Sequence, residues 1–191
     1  ADVFDPSERI SSTPVTGVEF TTPRLVLFNQ GPLTNGTNGA TPISILNNAA
    51  PFSYNTLGFS GAGAFRLADD FTVPAGETWN LEAITVFGYQ TGATAASINA
   101  ATLQILNAAP PAGAVVFGNT TTSIPTTTTL SGAFRVTPTT LTATNRAIQA
   151  VRIPVAVTLT PGTYFIDFTT SGTVASGPFF PPLVPDIAAP A

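Results

Sequence analysis

The 191-residue chain contains no cysteine, no histidine and no lysine. Without Cys there are no disulfides, no thiolate catalysis and no Cys-based metal site. Without His the commonest general base and the commonest transition-metal ligand are gone. All six basic residues are Arg: Arg9, Arg24, Arg66, Arg135, Arg146 and Arg152. Serine-hydrolase, thiol and Schiff-base mechanisms therefore lose their usual partners. Charge is scarce too, at 8% of residues against ~25% in an ordinary soluble domain.

Thr, Ala, Asn, Pro and Gly stand where charge would be, so the surface is neutral and easily desolvated. Two readings of such a surface stay open: the Thr/Asn skin of a secreted protein, or a surface covered within an assembly. A net charge of −4 with scattered Arg gives no footing for nucleic acid. No apolar run approaches the ~18 residues of a membrane span. The chain begins at Ala1, as signal-peptidase cleavage would leave it, which sets the expectation of export to the extracellular space or cell surface.

What is present is a strand-and-turn pattern. Thr, Val, Ile and Phe dominate, and Pro and Gly interrupt them at short intervals. The alternation is cleanest in "VRIPVAVTL", where Val151, Ile153, Val155, Val157 and Leu159 share one face. Pro154 lacks an N–H, which predicts an edge or a bulge there. After "TPG" comes "TYFIDF", predicted to form a hairpin with it, Asp167 pointing outward. Further strands are predicted over 15–20, 24–28, 43–46, 64–73, 79–90, 101–106, 114–118 and 132–136. Asn35-Gly36 and Asn38-Gly39 read as turns. About ten strands need two layers, so the predicted fold class is all-β: an antiparallel two-sheet β-sandwich of jelly-roll type.

The predicted organisation is an extended arm over 1–14, a sandwich over 15–177 and a Pro-rich extended tail over 178–191. Val3 and Phe4 in the arm, and Phe179, Phe180, Leu183, Val184 and Ile187 in the tail, are candidate subunit-interface residues. Free, they would be an exposed apolar liability. The tail residues must lie on the domain's own flank or on a neighbour. "NTTTSIPTTTTLSG" (119–132) reads as a solvated connection, a Thr-rich edge strand or an O-glycosylated stretch. "NGT" (35–37) and "NTT" (119–121) match the N-glycosylation pattern.

Asp69 and Asp70 pose the sharpest chemical question. In a regular strand Asp69 shares its face with Phe65, Leu67, Phe71 and Val73, where an unpaired charge is costly. A bulge, hydrogen bonds from backbone amides or an Arg, or a structural Ca²⁺ held by both carboxylates would each relieve it. Adjacent strand residues face opposite ways, so the two cannot form a catalytic pair. An acid–base site would need Glu82 or Asp167 to converge with Asp69. The chain is therefore read as a non-enzyme. Trp79 and Tyr89 bracket the next strand and are either core anchors or sugar-stacking platforms.

"RLADDFTVPAGETWNLEAITVFGYQTG" resembles a module of exported bacterial proteins that carries an "ADDF-x-V-P-x-G-x-x-W" strand and turn followed by a "YQTG" strand end. "AVVFGNTTT", "NRAIQAVRIPV", "LTPGTYFIDF" and "SGPFFPPLV" resemble its later segments, so the likeness covers about residues 60–184. The resemblance implies export and a β-sandwich surface domain, often linked to C-terminal sorting tags, and carries over no catalytic residue. Such modules usually run on past the segment resembling "SGPFFPPLV". The last strands are thus dispensed with, or a neighbouring subunit fills the gap. The functional expectation is an extracellular subunit that polymerises with itself by inserting a terminal arm or strand into the next sandwich. The alternative is a secreted carbohydrate-binding or adhesive module that takes glycans at Trp79 or Tyr89.

Overall fold

The computed structural model describes residues 25–46 and 56–182. Expectations for Val3, Phe4, Leu183, Val184, Ile187, the 1–14 arm and the 15–20 strand lie outside the described residues. Those described form eleven strands and no helix. They are β1 (Gly36–Asn38), β2 (Thr41–Ile45), β3 (Phe59–Ser60), β4 (Leu67–Val73), β5 (Trp79–Gly88) and β6 (Ile98–Leu106). After these come β7 (Val115–Pro125), β8 (Thr127–Val136), β9 (Ala147–Leu159), β10 (Gly162–Gly172) and β11 (Phe179–Phe180). The first sheet has the order β1-β2-β8-β9-β5 and the second β4-β10-β6-β7, while β11 pairs with β3. All pairings are antiparallel except β2 with β8. The chain is an all-β sandwich.

The predicted apolar rows make the core. Val151, Ile153, Val155 and Leu159 of β9 are buried together with Leu103 and Ile105 of β6 and Tyr164 and Phe168 of β10. Phe71 stacks on Trp79, ring centroids 6.1 Å apart, and on Tyr164 at 5.9 Å. Pro154 sits at a register shift: Leu81 pairs with Val157 but Ala83 with Pro154, so β9 carries the extra residue. It also lies just past Arg152, where the pairing of β8 with β9 begins. A residue that cannot donate is tolerated at such a place.

Three expectations are corrected. β9 and β10 are not a hairpin: β9 pairs with β5 and β8, β10 with β4 and β6, and "TPG" carries the chain from one sheet to the other. Asn35-Gly36 is not a turn. Gly36 opens β1, and the Asn35 side chain mimics a strand backbone, accepting from Ile45 N (2.7 Å) and donating to Ile45 O (3.2 Å). Only Asn38-Gly39 turns, with Gly39 at φ +60°. Residues 25–28, predicted as strand, run without ladder pairing.

The tail expectation is also corrected up to Pro182. Phe179 exchanges both backbone hydrogen bonds with Tyr89 at 2.8 Å, while β11 pairs on its other side with β3. Gly61, which follows β3, accepts from Thr170 N of β10, so this short pair joins the two sheets along one flank. The Phe180 ring enters the core edge-on to Phe168, centroids 5.2 Å apart. Gly61 and Gly88 make room for it: a methyl at Gly88 would lie 2.8 Å from the ring, and one at Gly61 would overlap it. Phe179 packs on Tyr89. Both Phe residues thus pack on their own domain's flank, one of the two placements that the sequence allowed.

Arg135 of β8, only 1% exposed, ties this flank inward. Its guanidinium donates to Leu57 O (2.9 Å), Ser44 Oγ (3.0 Å) and Thr56 O (3.1 Å). Three acceptors satisfy a buried cation that none of the described carboxylates neutralises. Burial lowers the pKa of Arg135 and raises that of Tyr89, the nearby Arg146 and Arg135 partly offsetting the latter. Phe180→Ala should cost ~3–5 kcal/mol in chemical denaturation. A loss near zero would mean that β11 does not seal the sandwich.

Candidate functional site

Asp69 and Asp70 lie on β4, an edge strand of the second sheet. The register of β4 with β10 runs unbroken from Leu67 to Val73, so no bulge turns Asp69 aside. It keeps the parity of the apolar row and is nevertheless exposed, because the row opens there onto the flank between β4 and β5. Its Oδ1 accepts from Gln30 Nε2 (2.7 Å) and from Asp70 N (3.0 Å). Gln30 also reaches Asp70 O at 3.4 Å. Hydrogen bonding at an exposed edge relieves the charge, and two acids on an edge strand oppose pairing with a stray strand.

The calcium expectation finds no support in this geometry. Asp69 and Asp70 face opposite sides of one strand. Among the described residues no group of three or more acids could hold a metal ion. The convergence that acid–base chemistry would need is likewise not formed. Asp69 lies on the β4–β5 flank, Glu82 is exposed on β5, and Asp167 belongs to the outer face of the second sheet.

Trp79 and Tyr89 are corrected as glycan platforms. Trp79 is buried against Phe71, with its Nε1 donating to Glu77 Oε2 at 2.6 Å. Tyr89 is buried under Phe179. A ring needs an open face to stack on a sugar, and neither ring has one. Asn119 of the "NTT" match accepts at Oδ1 from Thr121 N, Thr121 Oγ1 and Thr122 N, which closes a local turn in the edge strand β7.

The cluster that sequence reasoning passed over is built around Asp167. Its outward parity in β10 was predicted, yet it is buried. Arg66, one residue before β4, folds across the sheet edge and donates Nε to Asp167 Oδ1 (2.7 Å) and Nη2 to Asp167 O (2.9 Å). Its Nη1 reaches Thr102 Oγ1 of β6 at 2.8 Å. Gln104, directly across the ladder from Asp167, donates Nε2 to Oδ2 at 2.7 Å. Each nitrogen of the guanidinium and each carboxylate oxygen has a partner, and the two charges cancel. The signal for it was compositional. In a chain this poor in charge, an Asp inside "FIDF" requires a donor, and Arg66 and Asp167 lie 101 residues apart.

A second feature lies at the β4–β5 flank. Leu27 packs against the core, and Phe28 meets Phe71 with ring centroids 6.1 Å apart. Leu25, Val26 and Phe28 are 82%, 73% and 48% exposed. Three large apolar side chains in four residues are thus left uncovered by the other described residues, beside two sheet edges.

Asp167→Ala should lower stability by ~2–3 kcal/mol. This is less than the ~3–5 of a fully buried pair, because Arg66 keeps some contact with water. Adding Arg66→Met should recover part of the loss, and additive losses in that cycle would show that the two do not interact. Comparison with protein-family models, with curated proteins and with solved structures gives no match.

Proposed function

We propose that this chain is a structural subunit of an extracellular filament or surface lattice. Its copies join at the β4–β5 flank, where residues 25–28 lie. The observation that carries the reading is the apolar run Leu25, Val26 and Phe28, anchored by Leu27 and otherwise uncovered by any described residue. A chain with so little charge has few other means of keeping such a patch apart from its neighbours.

Edge-to-edge extension of a sheet is the less favoured joint. β1 has three residues, β4 carries the Asp pair, β7 is broken by a register shift between its pairs Ile124 and Asn119, and β5 is capped at its end by the Tyr89–Phe179 bridge. Each is a device that blunts an edge. An arm that crosses to a neighbour's β4–β5 flank supplies apolar side chains as well as main-chain bonds, which makes the contact specific. Such a contact is heterologous, so it continues from copy to copy unless the rotation closes a ring.

The double variant Leu25→Ser, Val26→Ser tests this reading, because both side chains are too exposed for their loss to weaken the core. Light scattering after size exclusion should show wild-type assemblies and a variant monomer with an unchanged melting temperature. A wild-type protein that stays a monodisperse monomer at high concentration would overturn the reading.

A further inference from the structure

The outer face of the second sheet carries a groove that the assembly reading does not use. Alternation in β6 and β10 turns Thr102, Gln104, Asp167, Thr169 and Ser171 to one side, while Leu103, Phe168 and Thr170 turn inward. Thr102, Ser123, Thr169, Thr170 and Ser171, with Gly63 and Ala101, line a cavity of about 180 Å³. The Arg66–Asp167 pair borders it through Arg66 Nη1 on Thr102.

We propose that this groove binds one ring of a neutral carbohydrate. The chemistry of its walls selects that class. No lining side chain carries a charge, and the bordering ion pair is neutral overall. An anion would meet Asp167 and a cation would meet Arg66, so neither gains. Hydroxyls are what remains. Thr102 Oγ1 accepts from Arg66, which leaves its own proton to donate outward. Thr169 Oγ1 donates to Gly61 O at 2.8 Å, which leaves its lone pairs to accept. Ser123 and Ser171 carry no side-chain hydrogen bond to another described residue, and a free hydroxyl rotates to donate or accept as required. Fixed and free hydroxyls side by side match the vicinal hydroxyls of a sugar, each both donor and acceptor.

Size agrees. At ~30 Å³ per water the space equals about six waters, the scale of one sugar ring and below the ~300 Å³ where drug-sized pockets begin. This inference stands on a different surface from the β4–β5 flank, and either can fail alone.

The test uses the full chain, isotopically labelled, titrated with glucose, galactose, mannose, xylose and N-acetylglucosamine, and probed in parallel on an array of neutral oligosaccharides. At least one sugar should shift the amide resonances of residues 100–104, 121–124 and 167–172 selectively. Ser123→Leu with Ser171→Leu, both at exposed positions, should weaken binding at least ~tenfold, about 1.4 kcal/mol, with the melting temperature unchanged. Binding should be insensitive to salt, because no charge is exchanged. No localised shift with any of the five sugars, or shifts that survive the double Leu variant, would overturn the proposal.

Discussion

The two sheets are held at a fixed spacing on one flank by the short β3–β11 pair, and the rest of the structure depends on that closure. Phe179 trades both hydrogen bonds with Tyr89 at the end of β5, while Gly61 next to β3 accepts from Thr170 of β10. One strand pair thereby continues the first sheet and touches the second. Phe180 hangs from it into the core, and the two glycines facing its ring have no side chain because none fits. Propagated along β5 and β10, this closure positions the Phe71–Trp79–Tyr164 stack at the other end of the sandwich.

Closure at that end of the β4–β5 flank and openness at its other end are parts of one design. Between β4 and β5 the sheets are covered by a segment without ladder bonds, Leu25 to Gln30, which touches down through Leu27, Phe28 and Gln30. Charges sit where they oppose unwanted pairing or satisfy a buried partner. Asp69 and Asp70 mark an edge, Asp167 neutralises Arg66, and Arg135 is held by carbonyls and a hydroxyl. Buried amides do similar work. Gln149 accepts from Ser97 N (2.8 Å) and Ile98 N (3.2 Å) and donates to Ser97 Oγ (2.9 Å), which fixes the start of β6 against β9. A chain with few charges can build a sandwich because hydroxyl, amide and backbone groups meet nearly all of its buried polar demand.

Part of the fold was legible. β4, β5, β6, β9 and β10 announce themselves by alternation, and the apolar row of β9 is the core row. The sequence shows β7 and β8 only at 114–118 and 132–136, and leaves open the Thr-rich 119–132 that fills them. Partnership was not legible. "TPG" between two alternating runs reads the same whether the second strand returns to its own sheet or crosses to the other, since the choice rests on contacts far away in sequence. β1, β3 and β11 are two or three residues long and have no period to detect. Pro-rich flanks around Phe179 argued for an unpaired tail, yet two residues suffice for a pair when glycines clear the way for one ring. At the candidate site the sequence showed the conspicuous Asp69–Asp70 and concealed Asp167, whose partners Arg66, Thr102 and Gln104 are gathered only by the sheet. Trp79 and Tyr89 drew attention as rare aromatics, but rarity carries no information about which face is open.

Hydrogen exchange on the isolated and the assembled protein tests the contrast between the two ends of this flank directly. The amides of Tyr89, Phe179 and Thr170 should be strongly protected in both states, and those of Leu25 to Phe28 only after assembly. Fast exchange at Tyr89 and Phe179 in the isolated protein, or equal exchange of Leu25 to Phe28 in both states, would contradict it.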